Sequence, residues 1–308
     1  MNLLLTVTHG VLVLTLPIVL VGLVNRSKSW WAGRKGPRLL QSAYDLWRLL
    51  GKRPIISTVA SPLFRMSAYV VLVCALAAAS MVPMLGQFAP VQFSHDFIVV
   101  AYTLGLARIA LMLAAMDVGS AFEGMGAARE ASFSAYAEPA LFLLIGAAGA
   151  ATGMTSFADL IGQLHRTPYF LIIVVPLVLA LLILLQTEAA RVPVDDPMTH
   201  LELTMIHEVM ILDHSGPELA AMQYAAALKM SLYAGLIAAL INPVDPQVAP
   251  VAAIAVSLGL MLLVALGVGC IESLTARLPM RWVTRYVLIG SGAALLSMVV
   301  VGLGASGL

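Results

Sequence analysis

The chain has 308 residues, of which 61% are hydrophobic and 11% are charged, and its mean hydropathy is +0.97. Soluble domains carry roughly 25% charged residues, so this composition excludes a water-soluble protein and indicates a membrane protein. The net charge of +1 argues against a nucleic-acid partner. Two cysteines, Cys74 and Cys270, are too few for a disulfide framework or an iron–sulfur cluster, so no cofactor is expected on this chain.

Eight segments are long and apolar enough to span a membrane, which takes about 20 residues of helix. None of them alternates apolar and polar residues as a barrel strand does. We therefore predict an all-α membrane protein with about eight transmembrane helices, forming one polytopic domain over residues 1–308. The predicted spans are roughly 3–24, 66–84, 97–116, 131–154, 168–187, 219–241, 249–271 and 285–305.

The basic residues are concentrated on one side of this predicted topology. Of the 17 Lys and Arg residues, 14 lie in the odd-numbered connections, whereas Arg166 alone lies in an even-numbered one. Because Lys and Arg favour cytoplasmic loops, we predict that the odd-numbered connections face the cytoplasm and that both termini are periplasmic. The long cytoplasmic loops are expected at about 25–65 and 188–218, and the periplasmic connections are expected to be short.

The first predicted loop combines tryptophans with basic residues and then becomes amphipathic. Residues 30–38 read Trp-Trp-Ala-Gly-Arg-Lys-Gly-Pro-Arg, and residues 39–50 interleave apolar and polar side chains at helical spacing. Such a segment is typical of a helix that lies in the membrane interface. It is either a surface anchor or a platform on which a soluble partner docks.

Ionisable residues also occur within the predicted spans. Glu130, Ser134 and Glu138 follow one another at intervals of four residues and so share a helix face, with Glu138 expected about seven residues inside its span. Arg108 is expected at a similar depth and is a candidate partner for Glu138. A structural ion pair would account for two of these charges, whereas the addition of Lys229 and of Glu188 favours a hydrated proton path.

The predicted loop 188–218 is dense in carboxylates and imidazoles, the groups that proton relays use. A metal site is a weaker alternative, because no His-Glu-x-x-His motif is present and the histidines at positions 200, 207 and 214 stand seven residues apart. A plain solvated loop also fits poorly, since leucine, methionine and isoleucine are interleaved with the charges.

Taken in order, these segments resemble the NADH dehydrogenase chain 1 family, which supplies a membrane subunit of complex I, and the resemblance covers essentially the whole chain. The strongest match is Glu188 followed by Arg191-Val192-Pro193-Val194-Asp195. The other segments that carry it are residues 34–37, 40–41, 44–45, 116–120, 126–130 and 138–139. The run from Asp195 to Glu208, together with Lys229, is more similar to the branch of membrane-bound NiFe hydrogenases, of the formate hydrogenlyase and hydrogenase-4 component C type.

The resemblance implies a subunit without an active site of its own, which joins a peripheral redox arm to antiporter-like membrane subunits in the cell inner membrane. Iron–sulfur clusters and a NiFe site would belong to partners: hydrogenase-like large and small subunits and an iron–sulfur subunit. The alternatives are a quinone-binding subunit of a complex I-type NADH dehydrogenase, a self-sufficient ion transporter and a purely structural anchor. No internal repeat of the kind found in transporters is evident.

The candidate residues fall into three groups. The expected proton carriers are Glu123, Glu130, Glu138, Glu188, Asp195, Glu202, Glu208 and Lys229. Arg108 and Arg191 are expected to pair with carboxylates and keep them ionised, because a nearby positive charge lowers a carboxylate pKa. The expected partner-docking surface or quinone-like chamber comprises Arg34, Lys35, Gly36, Pro37, Gln41 and Asp45.

Overall fold

The computed structural model describes residues 2–167, 170–196 and 205–305. These residues form ten α-helices and one short 3-10 helix, Glu208–Ile211, and they contain no β-strand. The helices are α1 (Asn2–Trp31), α2 (Gln41–Leu50), α3 (Pro62–Met81), α4 (Asp96–Asp117), α5 (Ala121–Thr152), α6 (Phe157–Leu164), α7 (Phe170–Glu188), α8 (Gly216–Ile241), α9 (Pro250–Leu274) and α10 (Met280–Ala305).

Eight of these helices are long and apolar enough to cross a membrane, which confirms the predicted number: α1, α3, α4, α5, α7, α8, α9 and α10. The shortest of them has 19 residues and the longest has 32. A helix of about 20 residues spans the hydrocarbon core of a bilayer. The chain is therefore a multi-pass α-helical membrane protein.

The end of α1 and the start of α5 differ most from the predicted boundaries. Helix α1 continues to Trp31, so the two tryptophans assigned to the first loop belong to a helix. Helix α5 begins at Ala121 instead of near residue 131, so Glu123 and Glu130 are helical and Glu138 lies farther from the start of its helix than predicted. The charged residues of this stretch led to the prediction of a loop. They lie in a helix because α5, about 48 Å long at 1.5 Å per residue, is longer than the hydrocarbon core of about 30 Å and extends beyond it.

The connections of the bundle are unequal on its two sides. We call the side that carries residues 32–61, 118–120, 189–196, 205–215 and 275–279 the loop-rich side, and we call the other side of the bundle the opposite side. The opposite side is more elaborate than predicted, because the connection between α5 and α7 contains the short helix α6. The orientation of the two sides in the membrane stays a prediction from the charge distribution: the loop-rich side faces the cytoplasm.

Helix α8 occupies the centre of the bundle and packs against α1, α2, α3, α7 and α9. Most of its side chains are buried, and many of them are alanines. Small residues let membrane helices approach closely. At Gly235, for example, an added Cβ atom would lie 2.8 Å from Cγ of Met84, so a larger residue would push the neighbouring segment away.

Helix α2 falls within the stretch predicted to be amphipathic. It rests on α1 and α8 at the loop-rich side, whereas Trp47 and Leu50 remain exposed. This arrangement places α2 beside the bundle instead of within it, as expected for a helix in the membrane interface.

The described parts of the connection 189–215, residues 189–196 and 205–215, fold back onto the bundle. An added Cβ atom at Gly126 of α5 would lie 2.3 Å from Cγ1 of Val209, so the absence of a side chain there lets the 3-10 helix contact α5. Nearby, the Arg129 guanidinium donates a hydrogen bond of 2.7 Å to the Met205 carbonyl. These contacts bring polar residues of the connection close to the charges within the bundle.

Candidate functional site

The guanidinium of Arg108, buried on α4, contacts three carboxylates. Its Nη1 and Nη2 atoms pair with Glu138 and Glu188, and its Nε atom lies 3.2 Å from Oε1 of Glu130. Glu130 and Glu138 reach it from one face of α5, as their spacing predicted, and Glu188 reaches it from the end of α7. The expected contact between Arg108 and Glu138 is therefore present, as part of a larger group.

A second cation belongs to the same group. The Nζ atom of Lys229 on α8 lies 3.9 Å from Oε2 of Glu188, so Glu188 stands between two positive charges. We call Arg108, Glu130, Glu138, Glu188 and Lys229 the Arg108 cluster. Three carboxylates against two cations give it a formal charge of −1 when every member is ionised. Because an uncompensated charge is costly inside a membrane, the cluster is suited to hold one proton.

A chamber opens beside the cluster on the loop-rich side. It contains about 960 Å³ of empty space, part of it open to solvent, between α1, α2, α8 and residues 189–191 and 207–211. Its polar lining includes Asp45, Arg191, His207 and Glu208. The two sequence-predicted regions, the first loop and the connection 189–215, therefore meet at one cavity.

The ionisable groups of the chamber have unusual proton affinities. Burial raises the pKa of Glu208 to about 7, with a further increase from the charge of Asp195 and an opposing effect of Arg191. Burial lowers the pKa of His207 to about 3, and the positive charge of Lys229 acts in the same direction. At neutral pH, Glu208 therefore exchanges protons readily, and the His207 ring is neutral.

Two smaller cavities flank the Arg108 cluster. One, with about 230 Å³ of empty space that includes space open to solvent, is lined by Glu130, Asp195 and His207. The other, with about 430 Å³ of empty space counted in the same way, is lined by Arg108, Glu138 and Glu188 and extends between α4 and α5 towards their outer face. The Glu138 side chain is 52% exposed there, whereas that of Arg108 is 5% exposed. The cluster thus connects the chamber side of the molecule to its lateral surface.

Asp195 holds the returning connection in position. Its carboxylate accepts hydrogen bonds from the backbone N–H groups of Asp196, Ile206 and His207, at 2.9 to 3.1 Å, and lies 2.9 Å from Nη2 of Arg277. Burial raises its pKa, although the His207 N–H group and the Arg277 charge oppose that effect. These contacts identify a positioning group for residues 206 and 207.

Arg191 pairs with a carboxylate that the sequence analysis missed. Its Nη1 atom lies 3.6 Å from Oε1 of Glu272, whose other oxygen lies 2.8 Å from Nζ of Lys28. The Glu272 side chain is fully buried near the loop-rich end of α9. Glu272 could have been identified from the sequence, because it is a lone carboxylate near the end of an apolar span.

Glu123 lies apart from the Arg108 cluster. Its Oε1 atom accepts a 2.9 Å hydrogen bond from the backbone of Asp213, and its buried Oε2 atom has no hydrogen-bond partner among the described residues. Close to Asp213 along the chain, Glu218 binds Arg65 at 3.0 Å, and the His214 ring stacks on Phe64 at 3.8 Å between ring centroids.

The predicted docking residues divide between a surface and the chamber. Arg34, Lys35 and Pro37 are exposed on the loop-rich side, and Gly36 packs against α1. On α2, Gln41 donates a 3.0 Å hydrogen bond to Asp45, which lines the chamber. Glu202, another predicted proton carrier, lies outside the described residues.

The cysteines, Cys74 and Cys270, are both free. Within residues 2–167, 170–196 and 205–305, no group of three or more His, Cys, Asp or Glu side chains is arranged to bind a metal ion. Carboxylates, imidazoles and amines are the groups that take up and release protons, and their arrangement in the Arg108 cluster and the chamber suits proton transfer.

The sequence profile of the family described as NADH dehydrogenase matches residues 4–303. The chain belongs to the NADH dehydrogenase family. This membership confirms the resemblance drawn from its loop motifs. Two family relatives from Escherichia coli (strain K12) are similar to it: formate hydrogenlyase subunit 4, 28% identical over 68% of each chain, and hydrogenase-4 component C, 26% identical over 76% of this chain and 74% of that one.

A solved structure has the same fold as this NADH dehydrogenase family member. It is a chain of the membrane-bound sulfane sulfur reductase, an archaeal respiratory membrane complex, with a TM-score of 0.81. The match covers 97% of this chain and 98% of that chain, at 18% sequence identity. At this identity the likeness concerns the fold.

Proposed function

We propose that the chain is a membrane core subunit of a hydrogenase-type complex of the formate hydrogenlyase kind. It anchors a peripheral redox arm in the cell inner membrane and couples electron transfer in that arm to proton translocation. The observation that carries the proposal is the Arg108 cluster, which has a formal charge of −1, two buried cations and a buried Glu188, and lies beside a chamber on the loop-rich side. The similarity to formate hydrogenlyase subunit 4 and hydrogenase-4 component C supports the choice of complex.

In this proposal the redox groups belong to partner chains. Hydrogenase-like large and small subunits and an iron–sulfur subunit dock on the loop-rich side, where Arg34 and Lys35 are exposed. Antiporter-like membrane subunits lie against the lateral face. The carboxylate of Glu138 is half-exposed on that face, where lipid alone would solvate it poorly.

The coupling follows from charge. Electron transfer in the partner arm would supply negative charge near the loop-rich side, and added negative charge raises the proton affinity of nearby carboxylates. Glu208, whose pKa of about 7 already lies near physiological pH, takes up the first proton. The Arg108 cluster then accepts a proton on one of its three carboxylates, which neutralises its formal charge, and releases the proton when the added negative charge is removed.

Purification of the tagged chain from mild detergent tests the proposal. We expect soluble iron–sulfur and hydrogenase-like subunits to copurify, and the double variant Arg34→Glu/Lys35→Glu to lose them while the membrane chain is still inserted. The matched control is Arg166→Glu, which reverses an exposed charge on the opposite side and should retain the partners. A chain that purifies alone and transports ions without partners would contradict the proposal and favour the transporter alternative.

A second candidate function, quinone binding, is favoured by one observation. An apolar groove of about 800 Å³ between α1, α2, α3 and α8 shares the lining residues Ile18 and Leu46 with the chamber. A molecule with a long apolar tail and a polar head would fit such a combined site. Leu46→Trp, which fills the shared wall, should abolish quinone reduction by the complex if this candidate is right, and should leave hydrogenase turnover unchanged if it is wrong.

A further inference from the structure

His207 lines both the chamber and the small cavity beyond it. Ala190 is the other residue that the two linings share, and its methyl group cannot carry a proton. The imidazole therefore stands in the wall that separates the two spaces. Its backbone N–H group donates a 2.9 Å hydrogen bond to Oδ2 of Asp195, which fixes the position of the residue.

Acid–base groups face His207 from both spaces. In the chamber these are Asp45, Arg191 and Glu208. In the small cavity they are Glu130 and Asp195, and Glu130 in turn lies 3.2 Å from the guanidinium of Arg108. The charges of Glu188, Lys229 and Arg108 also act on the ring. A proton that leaves the chamber for the Arg108 cluster thus meets the imidazole between Glu208 and Glu130.

A neutral imidazole is suited to this position. One ring nitrogen accepts a proton while the other donates one, so the ring passes a proton across itself without a lasting change of charge. The lowered pKa of His207, about 3, is consistent with this role, because it keeps the ring neutral and makes its protonated form short-lived.

We propose that His207 relays protons between Glu208 in the chamber and Glu130 at the edge of the Arg108 cluster. The carboxylic acid of Glu208, directly or through water, gives a proton to one ring nitrogen and becomes a carboxylate. The other ring nitrogen gives up its proton to the Glu130 carboxylate, which becomes a carboxylic acid, and the ring returns to its neutral state. This inference rests on the proposed coupling function.

The test uses the intact complex in proteoliposomes, with partner turnover and proton translocation measured together. His207→Gln keeps a polar side chain of similar length but cannot relay a proton, so we expect proton translocation to fall at least about tenfold, in line with the contribution of positioned acid–base groups. Reduction of an artificial electron acceptor by the redox arm should be unchanged. In His207→Ala, added imidazole should restore translocation, an effect that a structural role would not produce.

The matched control is His165→Ala on the opposite side, where the ring is hydrogen-bonded to the Ile161 carbonyl and imidazole should have no effect. The inference is overturned if assembled His207→Gln translocates protons like the wild type, or if imidazole fails to restore His207→Ala. A wild-type complex that turns over without translocating protons would overturn the proposed function itself, and the relay with it.

Discussion

On the opposite side of the bundle, both oxygens of the buried Asp96 carboxylate accept hydrogen bonds, from Ser156 Oγ at 3.0 Å and from the Phe157 N–H group at 2.9 Å. On the loop-rich side, three carboxylates share the guanidinium of Arg108. In the first arrangement, Asp96 joins α4 to the start of α6, and both of its carboxylate oxygens are hydrogen-bonded. The second crowds three carboxylates around one guanidinium within the membrane-spanning helices.

Other buried groups repeat this contrast. On the opposite side, Asn242 donates to the Ala253 carbonyl and to Ser257 Oγ, and it accepts from the Val244 N–H group. On the loop-rich side, Glu123 and Glu218 each leave one buried oxygen without a hydrogen bond among the described residues. Such an atom costs about 1–3 kcal/mol. Towards the opposite side, the rings of His9 and His165 also leave a buried nitrogen without a hydrogen bond in the described part of the chain, so unmet polar atoms occur on both sides. The unmet carboxylate oxygens among the described residues lie on the loop-rich side, and a function that binds protons there explains their cost.

The largest expected effect is an all-or-none difference in thiol labelling, which reports which side of the bundle faces the cytoplasm. Ala32→Cys and Gln247→Cys, both at exposed positions, are compared in a background that lacks Cys74 and Cys270. A membrane-impermeant thiol reagent should label Gln247→Cys in intact cells, and should label Ala32→Cys only after permeabilisation. Labelling of Ala32→Cys from outside would reverse the predicted orientation.

The next largest effect is expected from Arg108→Ala. Removing the shared guanidinium leaves buried carboxylates uncompensated, which typically costs about 3–5 kcal/mol. We expect little assembled complex in detergent-solubilised membranes. Adding Glu188→Gln removes one of these charges and should recover part of the assembly. If Arg108→Ala assembles as well as the wild type, the cluster is not the electrostatic centre of the bundle.

A smaller, pH-dependent effect is expected from Glu208→Gln. The folded-state pKa of Glu208, about 7, is higher than its ordinary value of 4.5, so ionisation of this group destabilises the folded chain as pH rises between these values. The loss of thermal stability between about pH 5 and pH 8 should therefore be smaller in the variant than in the wild type. Asp159→Asn, at an exposed carboxylate on the opposite side, should show the wild-type loss.

The smallest effect is expected at the end of α7. Ala190 has a φ angle of 50°, its N–H group donates to the Thr187 carbonyl, and that of Arg191 donates to the Gln186 carbonyl. This is the helix-ending pattern in which glycine is favoured at the left-handed position. Ala190→Gly should stabilise the chain by up to about 1 kcal/mol, whereas the neighbouring Ala189→Gly should destabilise it. Thermal unfolding in detergent separates the two.

Charges within apolar runs made much of the site predictable from the sequence. Arg108, Glu138 and Lys229 stand out because intramembrane charge is rare, and the spacing of Glu130 and Glu138 gave their common helix face. The start of α5 was mistaken because a helix that leaves the bilayer carries charges like a loop. Hydrophobic pattern alone cannot distinguish the two.

Other features depend on tertiary contacts that local sequence does not encode. The pairing of Arg191 with Glu272 joins residues from different helices and connections. The position of His207 between two cavities depends on Asp195, whose carboxylate accepts a hydrogen bond from the backbone N–H group of His207. In the sequence, the spacing of seven residues between His207 and the histidines at positions 200 and 214 argued only against a metal site.

Proton translocation by a complex that carries Glu138→Gln tests the central claim most directly. Glu138 contacts Arg108 and has a half-exposed side chain, so it is where the cluster meets the lateral surface. The matched control is Ser134→Ala, one turn earlier on α5, whose hydroxyl is hydrogen-bonded within its own helix. With turnover and translocation recorded on the same proteoliposomes, Glu138→Gln should assemble but translocate far fewer protons per turnover than Ser134→Ala. Equal translocation in the two variants would contradict the role of the Arg108 cluster in proton coupling.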